Sequence, residues 1–392
     1  MSNIKRPSSL FILHPSSFIL PRWGRYHLLV AAALLGIGLY RGINLLMLLG
    51  YALLATAGLN LLAAGRNLRG LRVRRRIADW VFARTPAELE VQMSNPGRRL
   101  RLGLRLEDRG PEHAVIWYAD RLPARARQTF RREVVLPRRG RYAWGAVTAV
   151  SGYPFGLVEQ RVTVVPGEEV IVLPRVGWLH RGRFLRHLRN LTAEPQCGQV
   201  RNRPCCHPAA QAEFHGLRSY RGGDSPRLIH WRTSARRGEL MVREFEDEPS
   251  DNLLLVFDPT VPAELECGTL GEHFEEVVSL VATICWEWCR RRGDRLVLAT
   301  PGPEPRVLEG LTGPIHARRV LECLAELPAR TGPVGPDLVT RLKATALPRA
   351  LAVLVALGRS PLADTLPQAL GRPVNCLDAA RTDRFDFYTP PD

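Results

Sequence analysis

Two apolar, uncharged runs at 28–40 and 43–64, separated only by Arg41 and Gly42, constrain this chain more than any other feature. A spanning helix needs about 20 apolar residues, within a range of about 17–25. The second run meets that length, and the first does so when Trp23, Tyr26 and His27 serve as interfacial residues. The pair therefore predicts a transmembrane helical hairpin over 23–66. A secretory signal is the competing reading, but a second span rather than a small-residue cleavage site follows the first run. Lys5, Arg22 and Arg25 precede the first apolar run, and Arg66, Arg69, Arg72, Arg74, Arg75 and Arg76 crowd the exit of the second. The positive-inside rule then predicts an inner-membrane protein with two spans and with residues 66–392 in the cytoplasm. It also sets the exit cluster against anionic headgroups, a contact of about 1 kcal/mol per near-surface cation.

The formal charge of +17 is almost all arginine, since Lys5 and Lys343 are the only lysines. Its placement matters more than its size. Residues 1–212 carry a net +21, residues 213–248 balance at zero, and residues 251–392 carry −4. An arginine excess in the N-terminal part could serve nucleic acid, but no aromatic platform or nucleic-acid-binding motif accompanies it. The bilayer is the expected partner of these cations. Residues 1–22, with the near-repeat at 8–15 and 16–21 and two prolines, read as a disordered leader.

Beyond the apolar runs, polar and apolar residues alternate at 88–93 and again at 100–107, with a turn at Asn95-Pro96-Gly97 between them. Further strands are predicted at 114–119, 130–136, 143–149, 157–165 and 169–173. Short strands at this spacing predict an antiparallel β-sandwich over 80–176, immunoglobulin-like in general form. From 251 to 392 strands and helices alternate instead. Strands at 253–257, 295–300, 351–357 and 374–377, with helices at 271–292 and 315–327, predict a parallel sheet covered on both faces. The whole is thus an α+β multi-domain chain: hairpin, sandwich, a linker with a further segment at 177–250, and an α/β domain. Cys197, Cys205, Cys206 and His207 lack the spacing of a zinc site. Cys285 and Cys289 read as core residues.

Residues 214–245 pack arginines, aromatic residues, a Gly-Gly-Asp turn and His230-Trp231 into one short stretch. Over residues 213–248 seven arginines balance seven acids, so Arg218, Arg221, Arg227, Arg232, Arg236 and Arg243 are expected to pair with Asp224, Glu239, Glu244 and the run 246–248. Gly222 and Gly223 suit a turn, and Asp224 can cap the segment after it. Ile229 and Trp231 flank His230, which predicts an extended segment with Trp231 buried. Asp224 and His230 would be the base of a hydrolase, but Ser219, Ser225 and Ser234 have no nucleophile-elbow context.

This stretch, with Pro154-Phe155-Gly156-Leu157 and the strand 170–174 before it, resembles the bacterial domain of unknown function 58 family over roughly residues 70–390. Tyr153 stands where that family usually has aspartate, and His230 where it often has aspartate. The resemblance implies that Arg218, Tyr220, Arg221, Gly222, Gly223, Asp224, Arg227, His230, Trp231, Ala235, Arg236 and Arg243 form a signature for docking a partner. It implies a von Willebrand factor A-like, Rossmann-type C-terminal domain, and a MoxR-type AAA+ ATPase as partner in assembling or maturing protein complexes. No cofactor is implied. Such A domains hold Mg²⁺ through Asp-x-Ser-x-Ser; here only Asp258 and Thr260 remain, with Pro262 in the third place. A degenerate metal site and a non-enzymatic adaptor are expected.

Overall fold

The computed structural model describes residues 17–191, 213–220, 229–246, 252–261, 270–291, 293–302, 304–330, 337–344, 350–358, 360–380 and 385–391. Two compact units result, one ending at Leu173 and one starting at Pro174.

The first unit opens with β1 (Ser17–Ile19), α1 (Arg22–Arg41) and α2 (Asn44–Leu68). β1 falls inside the segment read as a leader without structure, yet it pairs antiparallel with β9 (Glu159–Val165). α1 stops at Gly42, whose φ of 64° is left-handed and costs glycine little. Small residues let the two helices approach closely. A side chain at Gly38 would strike Met47, and one at Gly50 would strike Leu35. Among the described residues α2 alone is long and apolar enough to cross a membrane. The expected pair of spans thus narrows to one helix of spanning character.

Alternating residues build the next strands: β2 (Arg72–Ile77), β3 (Pro86–Ser94), β4 (Arg101–Arg109), β5 (Ala114–Leu122) and β6 (Arg127–Val135). β7 (Gly140–Trp144), β8 (Val147–Ser151), β9 and β10 (Glu168–Val172) complete the set. One sheet runs β1-β9-β8-β4-β5, a second runs β2-β3-β6, and β10 pairs with β7. In β3 the period of two puts Ala87, Leu89, Val91 and Met93 inward. They share one core with Leu104 and Leu106 of β4, Trp117 of β5 and Val147 and Ala149 of β8. The single strand expected at 143–149 is two strands, because Gly145 donates its N–H to Arg109 O (2.7 Å) and breaks the ladder.

The end of α2 is built into this β unit. Asn60, fully buried, donates to Gly152 O (2.8 Å) and Tyr153 O (2.9 Å), and its Oδ1 accepts from the Leu157 and Val158 amides (2.7 and 3.0 Å). Two turns on, Asn67 holds Leu102 O and Ser151 Oγ. Of the arginines at and after the end of α2, Arg66, Arg69, Arg72, Arg74 and Arg76 are exposed, but Arg72–Ile77 is a strand and the Arg75 side chain has no solvent exposure. Arg75 pairs with buried Asp108 (2.7 Å), reaches Glu168 (3.0 Å) and lies over the Trp144 ring. A cation so enclosed cannot meet a headgroup, so Arg75 alone drops out of the expected exit cluster.

In the second unit β11 (Trp178–Leu179) and α3 (Arg181–Leu191) are followed by β12 (Glu213–Ser219), α4 (Trp231–Arg237) and β13 (Met241–Glu246). Then come β14 (Leu253–Asp258), α5 (Leu270–Arg290), β15 (Arg295–Thr300), β16 (Arg306–Leu311), α6 (Pro314–Ala325) and α7 (Asp337–Ala344). β17 (Leu351–Ala356), α8 (Leu362–Leu370), β18 (Asn375–Asp378) and β19 (Tyr388–Thr389) close the chain. The main sheet is ordered β16-β15-β14-β17-β18, parallel except for the edge strand β16. All six residues of β14 are buried, as a central strand covered on both faces requires. Leu254 and Val256 pack toward α7 and α8, while Phe257 stacks on Phe274 of α5 (6.2 Å). Cys285 and Cys289 are core residues, as expected, and burial pushes both thiols up, Cys289 to about 11.

Candidate functional site

Two places are expected to carry function: the segment at 214–245 and the carboxyl end of β14. In the first, β12 and β13 form an antiparallel hairpin carrying Arg218 and Arg243, paired with Val242 and Leu217 respectively. Between them α4 begins at Trp231. His230 is its N-cap, with Nδ1 accepting the Thr233 N–H (3.3 Å) three residues on. The expected extended segment reaches only Ile229, which bridges Val242; from Trp231 the chain is a short helix, and the expected burial of Trp231 is reversed. Ile229 packs on Val242 and Tyr220, while Trp231 is 65 % exposed. The physical reason is the cap. Once His230 satisfies an orphan amide the chain turns helical, and its first residue points away from the hairpin.

Ser234, which lacks the context of a nucleophile, is the buried pin of this substructure. Its hydroxyl accepts the Met241 N–H (2.8 Å) and reaches His230 O (3.1 Å), fixing α4 to β13. His230 is equally committed. With Nδ1 accepting, a neutral ring carries its proton on Nε2, which makes that nitrogen a donor and not a base. A carboxylate at position 230 would accept the same amide, so histidine and aspartate are interchangeable as caps there. Arg232 and Arg236 are exposed with Ala235; of the acids expected to pair with them, only Glu239 has a described side chain. Arg221, Gly222, Gly223, Asp224 and Arg227 lie outside the described residues, as do Cys197, Cys205, Cys206 and His207.

At the second place Asp258 ends β14, almost fully buried. Its Oδ1 accepts the Thr260 N–H (3.0 Å), and its Oδ2 accepts the Ser360 hydroxyl. Ser360 follows β17, the parallel neighbour of β14, and is 102 residues away in sequence. Asp378, at the end of β18, holds the Gly358 and Ala380 amides. Thus the carboxyl ends of three parallel strands converge, the position where open α/β sheets form their crevices. Each Asp258 oxygen already accepts from a protein donor, so a divalent cation would have to displace one of these bonds to bind there. These residues do not fit a divalent cation. Among the described residues no three His, Cys, Asp or Glu side chains form a metal-binding group. Millimolar Mg²⁺ should leave the melting temperature of the chain unchanged; a distinct rise in a calorimetric scan would refute that assignment.

Most of the hairpin, α4 and the Asp258–Ser360 pair fall inside one matched region, which ends before β18. Residues 216–366 match the family described as Protein of unknown function DUF58. The match runs from β12 into α8. The Bacillus subtilis protein YeaD, described as uncharacterized, is 27 % identical over 187 residues, which cover 48 % of this chain and 42 % of that protein. This chain therefore spans less than half the length of that relative. A solved structure, the CARDB domain of a Pyrococcus furiosus protein in complex with di-metal ions, is 16 % identical. It covers 24 % of this chain and 90 % of that one at a TM-score of 0.19, too low to carry an argument.

Proposed function

We propose that this chain is a membrane-anchored, non-enzymatic adaptor. In this reading α1 and α2 form the anchor, the β unit is an immunoglobulin-like sandwich that spaces it from the bilayer's partners, and the α/β unit is a von Willebrand factor A-like domain at the cytoplasmic face. The central placement of β14, with Asp258 at its carboxyl end, supports the A-like assignment. The length and apolar character of α2 support the anchor.

The observation that carries the adaptor reading is α4. Its solvent face offers a large exposed aromatic ring, Trp231, with the exposed Arg232 and Arg236, on a helix pinned by Ser234. Tryptophan and arginine dominate the residues that carry binding energy at protein interfaces. The partner proposed is a MoxR-type AAA+ ATPase, and the service is assembly or maturation of protein complexes.

Co-purification of the full chain with such an ATPase in mild detergent tests this. Trp231→Ala should weaken retention by about 30-fold, the equivalent of about 2 kcal/mol for a central aromatic anchor. The exposed site means that its melting temperature should not move. His230→Asp should retain the partner, because the cap survives. Undiminished retention by Trp231→Ala, or loss with His230→Asp, would overturn the reading.

A further inference from the structure

The junction between α2 and the β unit fixes how far the apolar helices can rise above it. Asn60 uses both donors and its acceptor oxygen on the loop 152–158. Gln160 reaches back to Leu61 O (3.3 Å), and Asn67 grips β4 and β8. α1 is held at the same level: a side chain at Gly24 would overlap Leu157 O. A helix with this many side-chain bonds to a folded domain is a rigid continuation of it, not a tethered neighbour.

Only residues 44–59 of α2 stand clear of these bonds, and at about 1.5 Å per residue they rise about 24 Å. The hydrocarbon core is about 30 Å thick. A deficit of about 6 Å has to be met by thinning the bilayer or by drawing the next layer of protein into the interface. That next layer is dressed for it. Trp23 is 79 % exposed and Phe155 56 %, and Phe18, Tyr26 and Tyr153 are exposed beside them. Arg22 and Arg25 flank them, also in solvent. Aromatic rings with nearby cations are the composition found at the headgroup level.

We infer that the β unit is seated on the bilayer, with loop 152–158 and the first turns of α1 forming one aromatic collar within the headgroup layer. The partner of this surface is phospholipid. The inference rests on the membrane-anchor reading, since without insertion of α2 there is no plane for the collar to meet.

The test uses the full chain reconstituted in vesicles of phosphatidylcholine and phosphatidylglycerol. The photo-crosslinking residue p-benzoylphenylalanine is placed at one position per preparation: 48, 155 or 135. Leu48 lies on the exposed apolar face of α2. Val135 is exposed at the end of β6 remote from the α2 junction, because Arg127 at the other end of that strand is level with Arg72. Lipid adducts, read by mass spectrometry, are expected at 48 and 155 and absent at 135. Adducts at 48 without any at 155 would overturn the collar while leaving the anchor standing. Absence at 48 would overturn the anchor and the collar together. Equal adducts at 155 and 135 would show unspecific surface contact and also reject the collar.

Discussion

Arg75→Met should make the β unit about 3–5 kcal/mol easier to unfold, the cost of leaving a buried charge without its partner. Asp108 has no solvent exposure, and its Oδ1 is held by Arg75 and by the Trp144 indole N–H (3.0 Å). Methionine fills much of the arginine's space but strands the carboxylate. The corresponding change on the other side, Asp108→Asn, should cost clearly less. Arg75 would keep Glu168 and the Gly145 and Pro166 carbonyls, and asparagine can still accept from Trp144. The urea midpoint of the β unit, followed by hydrogen exchange of β3 and β4 amides, measures both; equal losses would refute the asymmetry.

The pH dependence of the same variant has a definite sign. Burial pushes the Asp108 carboxyl up from its ordinary range, against the opposing pull of Arg75 and Trp144. Removing Arg75 lets burial act with less opposition. A carboxyl raised in the folded state binds more protons there than in the unfolded chain, so stability falls as pH rises from the ordinary carboxylate value through the raised one. The deficit of Arg75→Met relative to the parent should therefore shrink as the pH is lowered toward about 4.

Asn60→Leu should cost about 4 kcal/mol, because four backbone groups lose their partner at about 1 kcal/mol each. Leucine suits an apolar helix better than asparagine, so an account of α2 as only a membrane segment expects a gain. Exchange of the Leu157 and Val158 amides, both bonded to Asn60 Oδ1, should accelerate sharply in the variant. Unchanged protection would show that the loop does not depend on the helix.

These two residues also show where sequence reasoning reaches its limit. The apolar run of α2, the alternation of β3 and β4 and the buried strand β14 are local patterns, and each element lies close to where its pattern puts it. Asn60 inside an apolar run reads as a blemish; its meaning comes from loop 152–158, some ninety residues later. Charge counting treats Arg75 as one of a basic cluster, because burial is not written in the residue itself. At Asp258 the local half of the site, Thr260, is legible, whereas Ser360 arrives from another strand. Trp231 is misplaced for a local reason: alternation over three residues cannot distinguish a strand from a capped helix start. The segment at 214–245 can be located in the sequence, but which of its described side chains face outward requires the fold.

The order of the main sheet bears on how the chain emerges during synthesis. β14 is the first strand of that sheet to be made and sits at its centre, wholly apolar but for Asp258. β15 can cover one edge early, but the other edge waits for β17, whose residues follow nearly a hundred positions later. Throughout that interval a nascent chain carries an open, hydrophobic strand edge, the kind that invites pairing with other chains. The sheet is closed on that side only when β17 has been made and pairs along the whole length of β14.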